Sequence, residues 1–145
     1  MRNRVLLAQT DTTVGFLSQD CFRLADVKQR SSGKPFLKVF DGLRSFSEEE
    51  LRIPRAFRRD VRKAKRTTFV VKNRAFRIVR DSDHLKLLRR LKWAYSTSAN
   101  PSGEGYDVTF CAHNSDIIVQ DRRGLHEAPP SSIIRLGRRK RMRLR

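Results

Sequence analysis

Short β-rich runs recur along this chain with helix-spaced stretches between them, and that alternation limits the possible folds more than any other feature. Residues 5–8, 35–40, 67–71, 75–79, 93–96, 117–119 and 132–136 each have the length and side chains of a buried or half-buried strand. Lys72-Asn73-Arg74 joins two of them as a hairpin. Between the strands, Asp20 can cap a helix over 20–30 with Phe22, Leu24, Ala25 and Val27 as its apolar positions. Ser47-x-x-Glu50 has the form of a capping box and predicts a short acidic helix. Pro54 suits the first turn of a basic helix over 54–65, with Phe57, Val61 and Ala64 on one stripe. Asp81 or Ser82 opens a helix through Leu85, Leu87, Leu88 and Leu91, and 106–112 reads as one more short helix. Strands and helices in this alternation predict an α/β fold with a twisted mixed sheet flanked by helices. The 145 residues suffice for a single compact domain over 1–145.

Charge then says what the surface attracts. The 33 Lys and Arg against 15 Asp and Glu give a net charge of +18, a field that favours RNA, nucleotides and polyphosphates. A basic segment over 137–145 ends the chain. It reads either as a disordered nucleic-acid-binding arm or as an edge strand, and the alternation of Met142 and Leu144 with Arg141, Arg143 and Arg145 favours the strand. Cys21 and Cys111 lie far apart without a C-x-x-C, which fits free thiols in a reducing compartment. His84, His113 and His126 lack ligand spacing and read as structural or surface residues, so no metal site is expected. The apolar run at 5–8 is too short for a signal peptide, and no later run could cross a bilayer. A cytoplasmic protein without a membrane partner is the expectation.

There is no Walker A motif and no G-x-G-x-x-G, so a nucleotide would be held by hydroxyls, amides and cations from separate loops. Three segments offer those groups: Thr10-Asp11-Thr12-Thr13-Val14-Gly15, Lys28-Gln29-Arg30 followed by Gly33-Lys34-Pro35, and Ser96-Thr97-Ser98-Ala99-Asn100-Pro101-Ser102-Gly103. The last is dense in small polar groups, which lets backbone N–H groups approach an anion. Lys28 and Arg30 sit near the end of a predicted helix, where cations also suit the dipole.

In this order the segments resemble the YrdC-like family of threonylcarbamoyl-AMP synthases. The K-x-R signature falls on Lys28 and Arg30, S-x-N on Ser98 and Asn100, P-T-D-T-V-Y-G on 9–15 and P-S-T-I on 130–133. Gln9, Val14 and Trp93 stand where the family has Pro, an aromatic residue and Pro. The resemblance implies a YrdC-like fold with a basic concave face. It also implies ATP-dependent joining of L-threonine and bicarbonate into threonylcarbamoyl-AMP, for transferase proteins that modify tRNA. It makes Lys28, Arg30, Ser98 and Asn100 catalytic, and Thr10, Arg77 and Ser96 the threonine site. Lys28, Arg30, Lys34, Ser98, Asn100 and either Ser131 or Ser132 would hold the nucleotide, with a tail arginine closing over it. ATP enters as substrate and carries Mg2+ with it. A catalytically silent relative that binds tRNA or double-stranded RNA is the alternative, and carbamoyl transfer to another acceptor is a third reading.

Overall fold

The computed structural model describes residues 2–31, 33 and 35–145. Nine strands form one mixed sheet in the order β7-β1-β2-β6-β3-β5-β4-β8-β9. They are β1 (Leu6–Gln9), β2 (Val14–Ser18), β3 (Leu37–Phe40), β4 (Thr67–Val71), β5 (Arg74–Ile78), β6 (Trp93–Ser98), β7 (Ile117–Val119), β8 (Ser132–Leu136) and β9 (Arg141–Arg143). β7 runs parallel to β1, β5 to β3 and β8 to β4, and the remaining pairs are antiparallel. The helices are α1 (Cys21–Lys28), α2 (Leu43–Phe46), α3 (Arg58–Lys63), α4 (Ser82–Leu91) and α5 (Val108–His113).

Side chains alternate across the sheet and so divide it into two faces. Leu17, Val39, Val79 and Ala94 point to one face and pack with Leu88 and Leu91 of α4. The other face carries two apolar groups. Val14 and Phe16 meet Leu24 and Ala25 of α1, with Cys111 of α5 beside them. Phe69 and Phe76 meet Phe46 of α2 and Val61 of α3. α4 is well specified locally: the Asp81 side chain accepts the His84 N–H at 2.8 Å as a helix cap. The β4–β5 hairpin turns on Lys72 and Asn73, both at positive φ, as the tightest antiparallel connection requires.

Several expectations are corrected. No helix covers 47–50. Ser47 instead ends α2, with its Oγ donating to Arg44 O, and Glu49 is drawn to Lys38 and Arg74. The helix expected over 54–65 is a 3-10 turn, Arg55–Phe57, followed by α3, which stops at Lys63. α1 ends at Lys28 because Gln29 turns left-handed at φ 49°, so Arg30 lies beyond the helix. Val14 and Gly15, read as the end of a loop, instead open a buried central strand over Val14–Ser18. β6 runs two residues past 96, placing Ser98 on the strand. The tail does add an edge strand, β9 against β8. Among the described residues no helix is long and apolar enough to cross a membrane.

Candidate functional site

α4 covers one end of its face and leaves the other open. Gly15, Leu37, Arg77 and Ser96 continue the alternation of Leu17, Val39, Val79 and Ala94 onto that open end. A cleft of about 290 Å3 lies over them, bounded by Thr10 on one side and by Arg30, Ser131 and Arg145 on the other. Gly15 is needed at its floor. A Cβ there would lie 2.9 Å from Thr10 Cγ2 and 3.1 Å from Thr97 O, so only glycine lets the Thr10 turn close onto β6.

The Thr10 turn is fixed from within and from outside. Thr10 Oγ1 donates to Thr13 O at 2.6 Å and accepts the Thr12 N–H at 3.1 Å. Arg123 donates to Thr10 O and Gln9 O, each at 2.9 Å, while ion-paired with Asp121 at 2.7 Å. This side chain, which sequence reasoning passed over, ties the 121–126 segment to the first turn.

The end of β6 is held by Lys28. Its ammonium donates to Ser98 O at 3.0 Å, Asn100 O at 2.8 Å and Asn100 Oδ1 at 3.0 Å, which uses all three donors. Ser98 Oγ donates to the same Asn100 Oδ1 at 2.6 Å, and Ser102 Oγ donates to Lys28 O at 2.7 Å. Burial, and next the charge of Arg30, push the Lys28 ammonium below its ordinary value. Lys28 thus sits behind the loop as its clamp. Arg30 lines the cleft, its guanidinium carbon 3.9 Å from the centre of the Phe36 ring and its Nη2 donating to Pro35 O at 3.0 Å.

Beneath the cleft runs a chain of buried polar contacts. Arg77 pairs with Asp11 at 2.9 Å, their side chains 3% and 2% exposed. Arg77 Nη1 donates to Thr68 Oγ1 at 3.1 Å, Thr68 Oγ1 meets Ser131 Oγ at 2.8 Å, and Arg145 Nε donates to Ser131 O at 2.9 Å. At the far end the Asp11 N–H donates to His84 Nδ1 at 3.1 Å. Burial works against ionisation of Asp11, but the imidazole and the guanidinium outweigh it and hold the carboxyl below the usual carboxylate range.

Thr10, Arg30, Arg77, Ser96, Ser98 and Ser131 therefore share one cleft. Asn100 lines an adjoining hollow of about 380 Å3, which shares Thr13, Ser98 and Pro130 with the cleft. Ser132 pairs with Thr67 on the face of Phe69, away from the cleft, so of the two serines Ser131 is the one presented to it. Lys34 lies outside the described residues. Asp11 and Thr68 were not singled out in the sequence, and His84 reads there as structural or surface, because their partners lie 9 to 73 residues away. No group of His, Cys, Asp and Glu among the described residues could hold a metal ion. Cations and hydroxyls without an acid–base pair suit the binding of anions and the neutralisation of charge between them.

No known family's sequence profile matches the chain, and no curated protein matches it in sequence. Solved structures match it in fold. The H234A/Y235A variant of P. abyssi Sua5 superposes with a TM-score of 0.78 at 17% identity, covering 99% of this chain and 49% of that one. P. abyssi Sua5 complexed with L-threonine gives 0.77 at 16%, covering 99% and 50%. E. coli YciO gives 0.74 at 18%, covering 98% and 82%. The chain thus spans about half the length of Sua5.

Proposed function

From the YrdC/Sua5 fold, which this chain shares, we propose that the protein joins L-threonine, bicarbonate and Mg·ATP into L-threonylcarbamoyl-AMP, with pyrophosphate released. The observation that carries this reading is the single cleft in which Arg30, Arg77 and Arg145 stand among hydroxyls. The fold likeness to a Sua5 solved with L-threonine supports it.

In this reading Arg77 takes the threonine carboxylate as a bidentate donor, flanked by Thr10 and Ser96. The threonine amine and bicarbonate form a carbamate with loss of water. One carbamate oxygen then attacks the α-phosphorus of ATP, and the bond to the β-phosphate oxygen breaks to release pyrophosphate. Two anions must meet for this, so positioning and charge neutralisation do the work and no protein nucleophile is required. Arg30, Ser131 and Arg145 serve the phosphates, and Ser98 with Asn100 edges the hollow that receives the nucleotide. Lys28 contributes by holding that edge. Mg2+ arrives on ATP and keeps ligands from phosphate and water. The mixed anhydride formed is consumed by transferase proteins that modify tRNA.

Pyrophosphate release measured with ATP, bicarbonate and each amino acid in turn tests the reading. Release is expected with threonine, and Asn100→Ala, which removes the acceptor that Lys28 and Ser98 share, should lower kcat/KM by about 100-fold, the scale of a lost charge-assisted hydrogen bond. No threonine-dependent release from folded protein overturns it. A second reading, RNA binding, is favoured by one observation: Arg141 of β9 pairs with Asp60 of α3 at 3.4 Å, which brings two exposed basic segments side by side.

A further inference from the structure

The buried chain under the cleft includes two residues, Asp11 and His84, that do not line it. We propose that Asp11, anchored by His84, is the positioning residue that fixes the Arg77 guanidinium for a carboxylate and against a phosphate; this rests on the reading of the cleft as a threonine site.

A guanidinium offers five N–H donors in one rigid plane. Here two contacts from different elements orient that plane, Asp11 from the turn after β1 and Thr68 from β4. Arg77 Nε has no hydrogen-bond partner among the described residues although the side chain is 3% exposed, and Arg77 lines the cleft. Buried donors are seldom left unpaired, so an acceptor supplied from the cleft would complete the group. The Asp11 backbone is anchored in turn. Its N–H is held by His84 Nδ1, and His84 is fully buried at the capped start of α4. The same ring nitrogen also lies 3.4 Å from Asp11 Oδ1.

The pair also sorts anions. Asp11 cancels most of the Arg77 charge at short range, so a phosphate placed there meets a carboxylate 2.9 Å behind its partner. A singly charged carboxylate loses less by this and gains the fixed donor geometry. Arg145, which also lines the cleft, is held through the uncharged Ser131.

The test uses the Nε–Hε signal of Arg77 in 15N-labelled protein, identified by its loss in Arg77→Lys, together with titrations of L-threonine and of ATP. In wild type the Hε proton should exchange slowly and shift on adding L-threonine. In folded Asp11→Asn it should exchange faster and threonine should bind roughly 10- to 100-fold more weakly, the scale of a lost charge-assisted hydrogen bond, with ATP affinity nearly unchanged. If Asp11→Asn fails to fold, Thr68→Val removes one hydroxyl contact and should show the same signs in weaker form. Unchanged Hε exchange and threonine affinity in a folded variant overturn the positioning role. Wild type that binds no threonine overturns the reading of the cleft instead, and Hε exchange still decides whether Asp11 holds Arg77.

Discussion

At the scale of single residues, the cleft depends on two kinds of position: those that leave space and those that fix charge. Gly15→Ala would press a methyl onto Thr10 Cγ2 and the Thr97 carbonyl, at an expected cost of about 1–3 kcal/mol in urea unfolding. Asp11→Ala strands a buried guanidinium and should cost about 3–5 kcal/mol by the same measurement. The acid limb follows from the sign of the Asp11 shift. Its carboxyl is stronger folded than unfolded, so its stabilisation is present above about pH 4, the unfolded value, and is lost as pH falls through the lower folded value. Urea midpoints taken from neutral pH downward should fall more steeply in wild type than in folded Asp11→Asn. Thr10, Ser96 and Ser98 were legible as candidates because hydroxyls crowd together in the sequence. Asp11 and His84 were not, since a buried contact between residues 73 apart leaves no local pattern.

At the scale of elements, local signals succeeded wherever capping, apolar spacing and turn chemistry agreed. α4 combines the Asp81 cap with leucines at helical spacing, and the β4–β5 hairpin combines β-branched runs with a two-residue turn. That turn is not yet optimal. Lys72 holds φ 49° with an ordinary side chain, so Lys72→Asn should stabilise the protein by up to about 1 kcal/mol in thermal or urea unfolding. The signals failed where tertiary contacts outbid them. Ser47 and Glu50 have capping-box spacing, yet Ser47 closes the preceding turn while Glu49 pairs with Lys38 at 2.5 Å and with Arg74 at 3.0 Å. β2 was hidden because Val14-Gly15-Phe16-Leu17 is buried on both faces and shows no alternation. Lys28 shows the same limit within the site: its K-x-R spacing is visible in the sequence, but its use as a clamp on Ser98 and Asn100 depends on a loop about 70 residues away.

At the scale of the whole molecule, the positive charge and the cleft are separable properties. The proposal of RNA as a partner rests on the +18 charge and on the exposed cations of α3 and the tail, and the cleft rests on Arg30, Arg77 and Arg145. If RNA binds through several phosphate contacts, its affinity should fall by about 10³-fold or more as salt rises from about 50 to about 200 mM. Arg59→Ala and Arg62→Ala should each flatten that slope by about one without changing pyrophosphate release. If one cleft takes both threonine and ATP, the two ligands are coupled, and calorimetric titration of ATP with and without L-threonine measures that coupling. Threonine should tighten ATP binding in wild type, and Asn100→Ala should abolish the effect. No heat from either ligand with folded wild-type protein would contradict it.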